Sequence, residues 1–408
     1  MRERVRSLRV FLGFLAFTFV SMGIWAQVET WEPDVEVPEV VSPSAVVMDA
    51  MTGTFLYLKN PDEVIPPASL TKLMTIHLAL KAIGGNLELL DEPIIPPRES
   101  WAINQPPRSS LMFLAPGQIV TLREIMLGLA IPSGNDAAVA AALRLAPTME
   151  DFAALMNAEA RRMGLTVTRF TESSGISEFN MTTAAEFAHF CRQYVKLHPQ
   201  SLKDFHSVPV FSYPAADNVP EAYRANVKTI TQYNRNNLLR TFPGVDGLKT
   251  GYIDESGYNI ALTAQRDDTR IIAVIFGAPA EPRGSRIRDE DGMRLLTWAY
   301  ENFRTVRPTV TGIENVRLWK GRANTAEIRL ARSADFTAPS NRGNNLRFEI
   351  FINKKLSAPL PTGAIAGYYV IYDDYGEVNR VPLITQRHYE KGNIFKRLLH
   401  SIMLLFVN

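Results

Sequence analysis

Apolar residues recur every three or four positions in some stretches and alternate in others, and these two periods divide the chain. Leu70, Leu73, Met74 and Leu78 follow the extended approach Ile65-Pro66-Pro67-Ala68-Ser69, which predicts a helix with Ser69 at its N-terminus. Leu122, Ile125, Met126 and Leu129 share one face of a second helix, opened by a capping box at Thr121-Leu122-Arg123-Glu124 and stopped before Pro132. The alanine-rich run 137–146 predicts a third, tightly packed helix, so Ser133-Gly134-Asn135 is a tight turn between helices. From residue 245 the period shortens. Runs at 245–252, 258–264 and 270–276, parted by turns at 254–257 and 266–268, predict an antiparallel meander.

The pattern changes again at Arg307-Pro308, after a helix-like stretch over 293–303. Short alternating or β-branched runs at 316–319, 326–330, 346–352 and 367–372, with turns at 341–345 and 373–376, predict a small all-β domain without catalytic candidates. In the tail, Ile394, Phe395, Leu398, Leu399, Ile402, Met403, Leu405 and Phe406 fall on one side of a helix. Lys396, Arg397, His400 and Ser401 fall opposite, and Leu404 interrupts that polar face. About fifteen residues of helix span roughly 22 Å, short of a hydrocarbon core of about 30 Å, so the tail is expected to lie in a membrane surface. Arg2, Arg4, Arg6 and Arg9 precede an apolar run over 10–20, and Ala26 stands before Gln27, the layout of an export signal, although Ile24 is not the small residue cleavage prefers. The expected organisation is a signal peptide at 1–26, a linker at 27–40, a catalytic domain at 41–306, a β-rich stalk at 307–386 and an amphipathic anchor at 387–408.

Charge and composition narrow the chemistry. Without residues 1–26 the chain carries 40 basic against 41 acidic residues, a near-neutral balance that points to no nucleic-acid partner. The single cysteine, Cys191, allows no internal disulfide and lies among Phe187, Phe190 and Tyr194 as a core residue. Six histidines and this cysteine form no metal-ligand spacing, so no metal is expected.

Three short motifs carry candidate chemistry: Ser69-Leu70-Thr71-Lys72, Ser133-Gly134-Asn135 and Lys249-Thr250-Gly251. A serine hydroxyl needs a base, and Lys72 lies one helical turn from Ser69; a desolvated lysine beside another cation such as Lys249 can serve. A helix N-terminus favours negative charge growing on an attacked carbonyl. Ser133 is a candidate proton relay and Asn135 a candidate amide binder. Lys249 and Thr250 on a strand suit a carboxylate, and Gly251 leaves the backbone open for a ligand strand. Each motif alone has a plain structural reading as a helix cap, a turn or a strand end. Three in one order supply every polar group an acyl-serine enzyme needs.

The set SxxK, SxN, KTG is a known template for penicillin-binding proteins and class A β-lactamases. The surroundings 67–75, 109–114, 133–137 and 246–251 resemble the low-molecular-mass penicillin-binding proteins that are D-alanyl-D-alanine carboxypeptidases. That resemblance implies an α+β transpeptidase/β-lactamase-like domain, an antiparallel sheet flanked by helices, followed by a small all-β domain and an amphipathic C-terminal helix. It implies Ser69 as nucleophile, Lys72 as general base, Ser133 and Asn135 as relay and amide residues, and Lys249 with Thr250 as the carboxylate pair. Backbone N–H groups of Ser69 and Tyr252 form the implied oxyanion hole; many relatives have histidine where Tyr252 stands. Arg288 is the implied further carboxylate ligand, with Arg283 and Arg286 close enough in sequence to compete. No cofactor is implied. The substrate is a peptidoglycan stem peptide ending in D-Ala-D-Ala, β-lactams acylate the same serine, and the exported protein sits peripherally on the periplasmic face of the membrane. A D,D-endopeptidase uses the same residues. A class A β-lactamase fits less well because Gly134 replaces its aspartate and no clear ExxLN stretch follows. A non-catalytic peptidoglycan-binding scaffold predicts a lost motif residue, and none is lost.

Overall fold

A computed structural model describes residues 36–407; the signal peptide expected at 1–26 and most of the linker expected at 27–40 lie outside the described residues. Five antiparallel strands form the central sheet: β1 (Ser44–Asp49), β2 (Phe55–Lys59), β3 (Val245–Ile253), β4 (Gly257–Arg266) and β5 (Thr269–Ala278), in the order β2-β1-β5-β4-β3. The sheet is covered on both faces, which is why β1, Ser-Ala-Val-Val-Met-Asp, is buried throughout instead of alternating with polar residues. Val46, Met48, Ile272, Val274 and Phe276 pack toward one layer of helices. Their neighbours Ala45, Val47, Ala273 and Ile275 pack toward Leu295, Leu296, Trp298 and Ala299 on the other.

The larger helical layer comprises α1 (Lys72–Ile83), α2 (Leu122–Ala130), α3 (Asn135–Leu145), α4 (Met149–Arg162) and α5 (Ala184–Leu197); α6 (Gly284–Asn302) covers the opposite face. The capping box forms as expected: Glu124 N–H donates to Thr121 Oγ1 and the Glu124 carboxylate accepts from Thr121 N–H at 2.7 Å. The small side chains of α3 let α2 approach so closely that a methyl group on Gly128 would stand 3.3 Å from Ala137 Cβ. Among the described residues no helix is long and apolar enough to cross a membrane.

The second unit is all β. Strand β6 (Phe303–Val306) pairs with β8 (Phe336–Pro339), while β7 (Ile328–Leu330), β9 (Arg347–Ile352), β10 (Ile365–Asp373) and β11 (Gly376–Thr385) form a sheet ordered β7-β11-β10-β9. The final helix, α7 (Ile394–Met403), lies on this unit by its polar side. His400 Nδ1 accepts from Lys320 N–H at 2.8 Å, and Lys396 Nζ donates to Arg322 O and Asn324 Oδ1. Its apolar side faces outward, with Ile394, Phe395 and Leu398 exposed.

One buried carboxylate joins the two units. Asp49, at the end of β1, accepts from Thr305 Oγ1 and Thr337 Oγ1, both at 2.8 Å, while its other oxygen caps the Met51 and Thr52 N–H groups. Removing it leaves several buried donors without an acceptor. Asp49→Ala is expected to cost about 2–4 kcal/mol in urea unfolding and to make the 306–308 junction more sensitive to limited proteolysis; an unchanged unfolding midpoint and digestion pattern would show that Asp49 is not the joint.

Candidate active site

Ser69 lies in a 3-10 turn, Ala68–Thr71, that runs directly into α1. Two glycines press on that turn. A Cβ on Gly175, whose φ is +81°, would sit 1.8 Å from Ala68 O, and one on Gly251 would sit 3.0 Å from both Pro67 O and Ser69 N. Gly251 therefore lets β3 close on the Ser69 turn. This differs from the role read from sequence, in which its bare backbone made room for a ligand.

Lys72 is buried, and its ammonium donates to three acceptors: Ser69 Oγ at 3.0 Å, Asn135 Oδ1 at 2.8 Å and Ser174 O at 2.6 Å. Burial lowers its pKa to about 7, the Arg235 charge acts in the same direction, and Glu172 and Asp136 pull it back up. Lys249, the neighbouring cation expected from sequence, interacts with Lys72, and Arg235 adds a second cation that was not expected. Lys249 is itself held well below the usual lysine range by its own burial, then by Lys72, Arg235 and Arg288.

Ser133 is held at positive φ between α2 and α3, and its Oγ is buried with no hydrogen-bond partner among the described residues. Asn135 shares Lys72 through Oδ1, donates from Nδ2 to Ser109 Oγ at 3.1 Å and sends its N–H to Ser110 O at 2.7 Å. The next residue, Asp136, is fully buried and accepts from Met112, Phe113 and Leu114 N–H, fixing the segment that faces the cleft.

The third motif lies on β3, an edge of the sheet, so one side of its backbone is unpaired by any strand. Lys249 and Thr250 are buried, and Lys249 Nζ donates to Thr250 O at 2.9 Å. Behind the strand His206 donates from Nδ1 to Leu248 O at 3.0 Å and accepts from the Tyr194 hydroxyl at Nε2; burial lowers its pKa to about 4, which keeps it neutral in that pairing. The Tyr252 side chain turns outward: its hydroxyl donates to Asp254 at 2.7 Å and its ring leans on Tyr258.

Of the three competing arginines, Arg286 pairs with Glu290 on the solvent side and Arg283 precedes the first turn of α6. Arg288 is buried, pairs with Asp289 at 2.6 Å, and its charge reaches Lys249. Arg235 was not foreseen. It is exposed, stands electrostatically between Lys72 and Lys249, and forms no hydrogen bond or ion pair among the described residues. Its sequence context, Asn234-Arg235-Asn236-Asn237, reads as a polar loop. The asparagines give that loop its shape: Asn234 Nδ2 donates to His206 O and Val208 O, and Asn236 Nδ2 to Gly247 O beside the third motif. Cys191 plays no part, since burial pushes its thiol well up.

Taken together the cleft offers a hydroxyl held against a buried amine, an unpartnered second hydroxyl, an open strand edge and an uncompensated guanidinium. A family model described as D-alanyl-D-alanine carboxypeptidase matches residues 32–280, and one described as the penicillin-binding protein 5 C-terminal domain matches residues 303–391. The D-alanyl-D-alanine carboxypeptidase DacC of Escherichia coli is 31% identical over 382 residues, covering 92% of this chain and 91% of its own. DacD of Escherichia coli is 30% identical over 399 residues, covering 96% and 97%. The crystal structure of penicillin binding protein 5 from Haemophilus influenzae matches with a TM-score of 0.76 at 27% identity, over 88% of this chain and 100% of that one. The chain belongs to the D-alanyl-D-alanine carboxypeptidase family.

Proposed function

We propose that this protein is a serine-type D-Ala-D-Ala carboxypeptidase acting on peptidoglycan stem peptides through a Ser69 acyl-enzyme. The observation that carries the reading is the Lys72 amine, buried and 3.0 Å from Ser69 Oγ, with a pKa near neutrality. Neutral Lys72 takes the Ser69 proton as Oγ attacks the carbonyl of the penultimate D-alanine. The carbonyl oxygen becomes an oxyanion between the Ser69 and Tyr252 N–H groups; Gly251, the residue before Tyr252, lies against Ser69 N. Collapse of the tetrahedral adduct breaks the peptide bond; Ser133 passes its proton to the departing D-alanine nitrogen and receives in its place the proton that Lys72 took from Ser69, so Lys72 is neutral again. Water then attacks the ester, the proton it loses returns to Ser69, and the shortened peptide leaves. A β-lactam acylates Ser69 in the same way.

The substrate is placed as a strand along the open edge of β3, its amide met by Asn135. Its terminal carboxylate meets Lys249, Thr250 and Arg235, with Arg288 behind them holding the charge balance. The side chain of Tyr252 faces away from this path, which leaves its backbone N–H as its contribution. The domain division expected from sequence is retained as part of this reading, with residues 307–386 as a stalk. Export by residues 1–26 places the catalytic unit on the periplasmic face. The outward apolar side of α7 favours peripheral attachment to a membrane surface over a docked helix, because its polar side is the one already used against the stalk.

Three outcomes test these assignments. Ser69→Ala abolishes both D-alanine release from a pentapeptide and covalent labelling by a fluorescent penicillin, and Lys72→Ala slows acylation at least about a thousandfold; labelling retained by Ser69→Ala would refute the nucleophile. Run with a cross-linked dimer in parallel, the same assay reads any endopeptidase activity. Lys249→Ala lowers turnover of a substrate with a free terminal carboxylate far more than that of its amide, and an unchanged acid-to-amide ratio removes Lys249 from carboxylate binding. A mature chain ending at Gln386 no longer floats with anionic vesicles whereas the mature full chain does; equal flotation would place the membrane contact elsewhere.

A further inference from the structure

The acyl-serine reading explains Ser69, Lys72, Ser133, Asn135 and the β3 edge, but leaves one carboxylate beside the site without a role. Glu172 precedes the tight loop Ser173-Ser174-Gly175 and is half-buried. It accepts four hydrogen bonds: Ser174 N–H and Ser174 Oγ on Oε2, both at 2.6 Å, and Gly175 N–H at 2.6 Å and Asn180 Nδ2 at 2.7 Å on Oε1. No lysine, arginine or histidine forms an ion pair with it among the described residues.

One of these contacts shares a peptide group with Lys72. The amide linking Ser174 to Gly175 gives its N–H to Glu172 Oε1 and its C=O to Lys72 Nζ, each at 2.6 Å. A carboxylate on the N–H side pushes electron density toward the carbonyl oxygen and strengthens it as an acceptor for an ammonium. The peptide cannot drift from this position. Gly175 lies against Ala68 O, Thr75 Oγ1 donates to Ser173 O at 2.7 Å, and Asn180 also reaches Thr71 Oγ1.

We propose that Glu172 is a positioning residue for the acylation step, acting through the 174–175 peptide to stabilise Lys72 in the protonated form it takes when Ser69 gives up its proton. A proton arriving on a buried amine needs a nearby negative charge, and the site offers two. Asp136 is committed to the backbone of 112–114, whereas Glu172 is aimed at Lys72 through a single amide. The charged groups acting on Lys72 agree with this balance: Glu172 and Asp136 favour its protonated form, Glu172 the more strongly, while Arg235 opposes it; Lys249 stands on the neighbouring strand. No proton moves through the peptide.

The inference rests on Ser69 and Lys72 having the roles given above, and the experiment separates the two. The second-order rate of acylation by a chromogenic cephalosporin is followed against pH in the full chain, in Ser69→Ala, and in Glu172→Gln, Glu172→Asn and Glu172→Asp. In the wild type the rate rises with pH as Lys72 loses its proton. Gln removes the charge and keeps the shape; Asn does so while still reaching the N–H two residues on, so one neutral variant survives if the other does not fold. In either neutral variant the rising limb moves to lower pH, since Lys72 loses a partner for its charged form, and Asp brings the limb back toward the wild-type position. A limb that stays at the wild-type pH in a folded neutral variant, or that moves equally in Asp and Gln, overturns the role of Glu172. Labelling retained by Ser69→Ala would instead overturn the acyl-serine reading itself.

Discussion

Taking Lys72 out of water is the constraint on which the rest of the site depends. A lysine at the start of a solvated helix would be an ammonium at neutral pH and useless as a base; buried, it loses the hydration that favours its charge. Burial alone would also leave its three N–H directions unanswered, and the chain answers them from three distant segments: Ser69, Asn135 and the carbonyl of Ser174. Each of those acceptors is anchored in turn. Ser69 is gripped by Gly175 and Gly251, Asn135 by Ser109 and Ser110, and Ser174 by Glu172. The fold can be understood as the set of connections that brings these acceptors to one amine.

The two-faced sheet supplies the rigidity this needs. Its strands bury apolar side chains on both faces, so β3 has a fixed register against β4 and its outer edge is held at a set distance from the Ser69 turn. The neutral pairing of Tyr194, His206 and Leu248 O steadies that strand from behind. At the far end of the same sheet, Asp49 ties β1 to β6 and β8, so the second unit is attached to the stiffest part of the catalytic unit.

Much of this was legible in the sequence, for reasons that differ by element. The capping box at Thr121, the Ser133 turn and the three-stranded meander are local patterns, and local hydrogen bonding and side-chain alternation produce them. Ser69 and Lys72 were legible because helical geometry alone places residues three apart on one face. Beside Lys249, the second cation acting on Lys72 was missed. Arg235 lies 163 positions away in sequence by its number and belongs to a polar loop, and only the packing of Asn234 and Asn236 against 206–208 and Gly247 brings it to the site. Gly251 was recognised as special, but its contact with the Ser69 turn was not, because a glycine's neighbours across a tertiary contact leave no trace in its own segment. Glu172 was silent for the same reason: Glu-Ser-Ser-Gly reads as an ordinary turn until its peptide is seen lying on Lys72.

The open edge of β3 also bears on how the molecule stays apart from its copies. A strand edge with free backbone groups invites any extended segment to pair with it, and proteins usually blunt such edges with charge. Here Lys249 is buried within the strand and the guanidinium of Arg235 stands beside it without a counter-ion. A neutral segment from another molecule that settled on this edge would take the Arg235 guanidinium out of water without supplying a counter-charge, which opposes such pairing. A short chain ending in a carboxylate brings the missing charge with it. The charge beside this edge thus favours an anionic terminus over a neutral strand as its partner.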